Sequence, residues 1–428
     1  MKALKFEGSG SEYFSIWIVN ILLTIVTLGL YYPWAKVRNR RYFYANSTLD
    51  NRNFEYHATG MQLFLAFVVA MMLLIAYIAL ERISPQFSIA MVGILFLATP
   101  WIIWRSMMFR MRMSSFSNVR FSFAGSLSKS YKVFMILPIL LLLAFVVMVA
   151  IAGFAISSNA AINSPITIGL FALISISFFL YVFSFLKKKS TEYMFNGLRY
   201  GQGEFYTDIN IMPLLMIRLK AIVLSLVFVI AFAGLVGGIL LSVSSTDFMS
   251  ELSNIQEVFA TEEQEIEGIF DESTKLTPEN TKEPMELDQD DSASHMSPEQ
   301  SRAYQFMFLF IGLFYLIMLI SSLFIIAFIT ARERRYIFEN LMLDDKISFE
   351  STLKARSLVW VMFTNLLGII LSFGLALPWA KVRMARLHLE NTWVDTEFGF
   401  NDYISQKQQE QSSLGDQIGE AFDMDVGF

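Results

Sequence analysis

The sequence predicts an all-α polytopic membrane protein, and three observations carry that prediction. Of 428 residues, 55% are hydrophobic and only 17% charged, with a mean hydropathy of +0.50, whereas a soluble domain carries about a quarter charged residues. Six stretches (61–80, 88–104, 132–155, 164–186, 217–242 and 304–329) meet or approach the length of about 20 apolar residues that crosses a bilayer. Lys and Arg gather in the short connections between them.

Taken from the N-terminus, residues 1–60 hold an apolar stretch, 15–32, that is broken by Gly29 and closed by Pro33. A basic, aromatic helix is expected to follow, because proline suits a first helical turn, where its missing N–H costs nothing. Residues 61–243 supply five spans. The connections 33–60, 105–131, 187–216 and 330–356 are rich in Lys and Arg, so by the positive-inside rule all four should face the cytoplasm. Segment 244–303 is different: within 246–300 there are 16 Asp/Glu and two Lys/Arg, against 22 and 31 in the rest of the chain. It is expected to be a disordered extracytoplasmic loop. Residues 304–356 give the sixth span and its connection, 357–400 a second broken apolar stretch, and 401–428 a polar tail.

The two broken stretches, 15–32 and 357–377, decide the topology. If both crossed fully, Lys381, Arg383 and Arg386 would lie outside, against the charge rule. Six spans plus two re-entrant or short segments, both termini inside, is therefore the favoured reading. Eight plain transmembrane helices is the alternative.

An internal repeat is the most specific signal. At a fixed offset of 345 positions, Pro33-Trp-Ala-Lys-Val-Arg38 falls on Pro378-Trp-Ala-Lys-Val-Arg383, Asn20 on Asn365, Arg41 on Arg386, Asn46 on Asn391 and Asp50 on Asp395. Asn340 and Asp344 keep the Asn/Asp spacing in a weaker copy. Short aromatic pieces such as Phe54-Glu-Tyr56 recur before the next span, which gives about five degenerate copies of one unit. Phe14-Ser-Ile-Trp-Ile-Val-Asn20, Thr27-Leu-Gly-Leu-Tyr-Tyr-Pro33, Arg41-Tyr-Phe-Tyr-Ala-Asn46 and Phe54-Glu-Tyr-His-Ala-Thr-Gly60 together resemble the YjgN-type family of bacterial inner-membrane proteins, whose function is uncharacterised. The resemblance is strong over 6–64 and 357–396, and the acidic segment 246–300 departs from it. It implies an inner-membrane location and supplies neither substrate nor catalytic residue.

The candidate residues fall into three sets. Asn20 and Asn365 are the aligned amides inside broken apolar stretches. They either hold helices together by hydrogen bonds or line a solute path. Trp34, Lys36, Arg38 and Arg41, with Trp379, Lys381, Arg383 and Arg386, suit an interfacial anchor. Paired arginines also suit anionic lipid headgroups. Asn46, Asp50, Asn340, Asp344, Asn391 and Asp395 read as caps and turns with a salt bridge to a nearby arginine. Arg218 and Lys220, near the start of a span, are expected to snorkel.

Exclusions are firmer. Cysteine is absent, which removes disulfides and thiolate sites, and the three histidines are scattered. No metal and no cofactor is expected. There is no Walker A, His-Glu-x-x-His or Gly-x-Ser-x-Gly motif, so no enzyme is expected. No basic soluble face suggests nucleic acid, which leaves membrane lipids as the expected partners. Span centres lack ionisable residues, which disfavours proton coupling. The sequence therefore leaves a passive or weakly coupled small-solute transporter, a channel or a lipid-handling protein, with a non-transporting scaffold that binds a protein partner as the alternative.

Overall fold

The computed structural model describes residues 1–158, 164–242, 298–395 and 400–410. Residues 244–297 of the expected acidic loop and the end of the tail, 411–428, lie outside them, and 298–303 open a helix. The chain folds as two compact units, 1–221 with 326–428, and 222–325. In the second, Phe228 packs on Phe324 at 5.5 Å and Phe232 on Phe314 at 5.4 Å.

Among the described residues, six helices are long and apolar enough to span a membrane: Gly60–Ile83, Pro85–Arg112, Leu127–Ala155, Pro165–Asn196, Ile211–Gly234 and Phe310–Glu339. We label the helices α1 Gly10–Val26, α2 Tyr32–Ala45, α3 Gly60–Ile83, α4 Pro85–Arg112, α5 Leu127–Tyr131, α6 Leu137–Ser158, α7 Pro165–Asn196, α8 Ile211–Ser242, α9 Pro298–Glu339, α10 Ala355–Leu371 and α11 Leu377–Glu390. Residues 400–410 form α12. A π-turn, Lys132–Ile136, joins α5 to α6 into one span. Helix starts are set locally. Ser9 with Glu12, and Thr59 with Gln62, form capping boxes, each satisfying two otherwise orphaned backbone donors. Ser84 caps α4 and Pro85 opens it, so a single residue separates α3 from α4.

The broken apolar stretches form helical hairpins. α1 and α10 have 17 residues each. Each ends in a left-handed turn, with Leu28 and Gly29 at φ +51° and +91°, and Phe373 and Gly374 at +51° and +90°. The chain then doubles back along α2 or α11. Tyr13 stacks on Tyr42 at 5.2 Å, which fixes α1 antiparallel to α2. Leu28 and Phe373, at the two tips, are almost fully exposed.

The all-α expectation is corrected by a sheet. Strands β1 Lys2–Ala3, β2 Lys5–Phe6, β3 Ser47–Leu49, β4 Arg52–Tyr56, β5 Ser114–Phe116, β6 Val119–Phe123, β7 Leu198–Tyr200, β8 Gly203–Thr207, β9 Leu341–Leu343, β10 Ile347–Ser351 and β11 Thr392–Val394 pair in the order β1-β11-β10-β9-β8-β7-β6-β5-β4-β3-β2. Every pairing is antiparallel. β1 and β2 are two halves of one segment around Leu4, whose N–H donates to Thr392 O at 2.9 Å. The two edges of the sheet are therefore one strand, and the ring closes through it, which removes exposed strand edges. The turns at 50–51, 117–118 and 344–345 have positive φ at both residues, the conformation that Asn and Asp tolerate best in hairpins. Leu4, Leu49, Phe116, Val119, Tyr200, Phe205, Leu341, Leu343, Ile347 and Val394 make the core, and Phe400, Tyr403 and Ile404 of α12 insert into it. The expected polar tail thus opens with a buried helix face.

Candidate functional site

Asn20 and Asn365 are both buried, and each is held inside its own hairpin. Asn20 Nδ2 donates to Asn39 Oδ1 at 3.0 Å. Asn365 Nδ2 donates to Ala380 O at 3.1 Å, and its Oδ1 accepts from Arg383 Nη1 at 3.0 Å. Arg38, which aligns with Arg383, is exposed and makes no such bond; Asn20 Oδ1 is buried without a partner. No hydrogen bond joins the two amides.

Several of the anchor residues tie elements together. Arg41 Nη2 donates to Ala58 O at 2.9 Å, and Arg386 Nη2 donates to Gly8 O at 3.0 Å. Each accepting residue directly precedes the N-cap of the next long helix, Thr59 or Ser9. Trp34 lies over Gly60 and Trp379 over Gly10. Lys36 lies 5.8 Å from the Tyr32 ring. Arg38 and Lys381 are exposed.

Asn46, Asn340 and Asn391 donate to the carbonyls of Tyr42, Tyr336 and Leu387 at 2.8, 2.7 and 2.8 Å, closing the last turns of α2, α9 and α11. Asp50 pairs with Lys2, and Asp344 with Lys407 at 3.3 Å, so lysine replaces the arginine expected as their partner. The N–H of Asp395 donates to Ser348 O at 2.9 Å.

Asp344 latches α12. Its Oδ1 accepts from the Glu204 N–H at 2.6 Å and its Oδ2 from the Tyr403 hydroxyl at 2.8 Å. Nearby, Gln408 Nε2 donates to Ser117 O at 2.6 Å and Arg52 Nη2 to Asn401 Oδ1 at 3.1 Å. Burial pushes the Asp344 carboxyl up, but the Glu204 N–H, Tyr403 and Lys407 together hold it below its ordinary 3.8. Burial, and then the bond to Asp344, push the Tyr403 phenol well above its ordinary 10.0. A depressed carboxyl adds stability above its unfolded value and loses it as pH falls through the folded one. Amide protection over 400–410 should thus be constant from neutral pH to about pH 5 and fall away at more acid pH. Asp344→Asn should remove about 2 kcal/mol of latch strength at neutral pH. Hydrogen exchange of 400–410 that is identical in the variant would exclude the latch.

Three features escaped the sequence reading. Glu333, buried on α9, lies 2.8 Å from Arg218 and 3.3 Å from Lys187, and Arg218 Nη1 donates to Ser184 Oγ at 3.1 Å. Arg218 is thus locked in an ion cluster and does not snorkel. Two basic grooves flank α9. One, of about 460 Å³, carries Lys220, Arg332 and Arg335; the other, of about 410 Å³, carries Arg332, Lys354 and Arg356. Arg335 pairs with Glu339 at 2.8 Å. Lys220, Arg332, Lys354 and Arg356 are exposed and have no acidic partner among the described residues. The third feature is an apolar cavity of about 320 Å³ inside the closed sheet, which Arg334 reaches. No cluster of His, Asp or Glu among the described residues could hold a metal ion.

The family described as "Bacterial protein of unknown function (DUF898)" matches residues 1–421. The chain belongs to this family. It is 27% identical over 395 residues to the inner membrane protein YjgN of Salmonella typhimurium strain LT2, covering 91% of this chain and 88% of the relative. It is 30% identical over 172 residues to YjgN of Escherichia coli O157:H7, covering 40% and 43%. No solved structure matches. The family expected from the residue patterns is borne out, and the DUF898 chain is a multi-pass inner-membrane protein.

Proposed function

We propose that this DUF898 protein binds and handles anionic lipids at the cytoplasmic face of the inner membrane. One observation carries the reading: Lys220, Arg332, Lys354 and Arg356 line two grooves beside α9 without acidic partners. Arg suits phosphate through its planar fork, and Lys as a point charge. The positive-inside rule puts these connections, the sheet and both termini in the cytoplasm and the acidic segment 244–303 outside. Exposed Arg38 and Lys381, beside Trp34 and Trp379, extend the basic surface at the tip-proximal parts of the helical hairpins. The hairpin tips at Leu28 and Phe373 are apolar enough to enter the bilayer and return. The ring is built at five helix-to-strand junctions, α2–β3, α4–β5, α7–β7, α9–β9 and α11–β11, the first four running on into a second strand and the last pairing with the N-terminal segment, an arrangement we read as degenerate repeats. The Asn20 and Asn365 hydrogen bonds lie inside separate hairpins, which weighs against one shared polar path. The reading assigns binding and no catalytic step.

Thermal unfolding of the full-length protein in neutral detergent tests it. Phosphatidylglycerol should raise Tm by several degrees and phosphatidylcholine should not, and added salt should shrink the difference. An Arg332→Gln/Lys354→Gln/Arg356→Gln variant should lose the selectivity. Equal shifts from both lipids on the unaltered protein would sink the proposal.

A further inference from the structure

We propose that the interior of the closed sheet holds the hydrocarbon chain of a long-chain fatty acid, with the acid's carboxylate on Arg334. The inference stands apart from the headgroup grooves, because it concerns another cavity and another ligand class.

Size comes first. An eight-stranded barrel is about the width that its own side chains fill, or that holds one small ligand. Here the N-terminal segment closes a wider ring, and its core side chains leave about 320 Å³ between them. That lies at the lower end of the range of about 300–1,000 Å³ for small-molecule pockets. It suits one flexible chain and is too small for a two-chain lipid. The walls are mainly Leu, Ile, Val and Phe side chains, among them Leu49, Phe116, Phe205 and Leu343, with Tyr200 beside them. A void of this kind forfeits contacts all around its lining when it stays empty.

Charge supplies the orientation. At the end where the helices join the strands, Arg334 enters the wall from α9, seven residues before β9. Its Nη2 donates to Thr392 Oγ1 at 2.7 Å and to His388 O at 3.4 Å, and its guanidinium lies 4.5 Å from the Phe338 ring centroid. Nε is buried and has no partner. No carboxylate pairs with Arg334 among the described residues. A guanidinium without a counter-ion at the wall of an apolar cavity calls for an anion; Nη2 is committed to Thr392 and His388, so Nη1 is the group that would take a carboxylate oxygen. At the opposite, hairpin-turn end, Phe400, Tyr403 and Ile404 of α12 stop the cavity. Arg334 at one end and Phe400 and Ile404 at the other thus match the two ends of a single-chain amphiphile.

The test uses the full-length protein in phosphatidylcholine nanodiscs and palmitate carrying a terminal diazirine. Irradiation should give saturable adducts on the sheet peptides around 114–123 and 198–207. Palmitate should compete at least tenfold better than methyl palmitate, which keeps the chain and loses the charge. Arg334→Met should weaken competition by palmitate about tenfold and leave the methyl ester unchanged. Adducts confined to the spans, or equal competition by acid and ester on the unaltered protein, would overturn the proposal. If Arg334→Met does not fold, the acid–ester comparison on the unaltered protein still decides. The groove reading is measured separately by its lipid-dependent Tm, so either can fail alone.

Discussion

Replacing Glu333 by Leu is expected to cost about 3 kcal/mol of stability, a large loss for one side chain. Glu333 and Arg218 have side chains only 10% and 15% exposed, and they join α9 to α8. Glu333 Oε1 sits 2.8 Å from Arg218 Nη2 but off the axis of a hydrogen bond, so the attraction there is mainly Coulombic. Without the carboxylate, the guanidinium stays half-satisfied by Ser184 Oγ and the Leu214 carbonyl, with no charge to balance it. Lys187 is 40% exposed and can return its ammonium to water, so Lys187→Gln should cost less than about 1 kcal/mol. The decisive comparison is a double-mutant cycle in detergent. Arg218→Met/Glu333→Leu should recover much of the loss, because it removes the stranded charge with its partner. Additive losses in the double variant would show that the pair does not act as a pair.

Glu333 shows where sequence reading ran out. The spans were legible, because an apolar run of sufficient length is a local property. The residues that hold the spans together are not local: Lys187, Arg218 and Glu333 come from three helices, α7, α8 and α9, and meet only in the folded chain. The sheet failed for a related reason. Its parts were visible as Asn/Asp turns followed by short aromatic pieces, but strands of two to five residues carry little period-2 signal. Ring closure depends on Lys2 pairing with Val394 from the far end of the chain, and nothing near either residue announces it. Helix α12 left a clearer trace. Phe400, Tyr403 and Ile404 are spaced three and four apart, one face of a helix, but the Gln, Ser and Lys residues around them made 401–428 look uniformly polar. The sequence aligned Arg41 with Arg386 and Arg38 with Arg383 without revealing what each side chain does. Arg41 and Arg386 do the same job at equivalent carbonyls, whereas Arg38 and Arg383 have diverged, since only Arg383 reaches its asparagine.

The two tryptophans offer a sharper measure of equivalence, and an expected result that runs against helix propensity. Gly60→Ala and Gly10→Ala should each destabilise the protein by about 1–3 kcal/mol. On propensity alone, alanine in place of glycine in a helix would stabilise by about 1 kcal/mol. Packing reverses the sign. A Cβ on Gly60 would lie 2.1 Å from Trp34 Cδ1 and 2.5 Å from its Cγ; one on Gly10 would lie 2.1 Å from Trp379 Cδ1 and 2.7 Å from its Cγ. Contacts that close to Cγ cannot be relieved by moving only the far edge of the indole, so the whole ring has to leave the helix start it covers. Trp379 also packs on Phe14 at 5.0 Å, and Trp34 on Phe64 at 5.1 Å, so displacement breaks a second contact in each place. The check is to repeat each change in a background without its tryptophan. With Trp34→Ala, Gly60→Ala should become neutral or stabilising, and Trp379→Ala should rescue Gly10→Ala in the same way. Rescue at both positions would establish one joint used twice, where the tryptophan at the start of a hairpin's second helix seats the glycine that opens a neighbouring helix. Rescue at one position alone would mean that the matched Pro-Trp-Ala-Lys-Val-Arg segments share a sequence but no longer share a mechanical role.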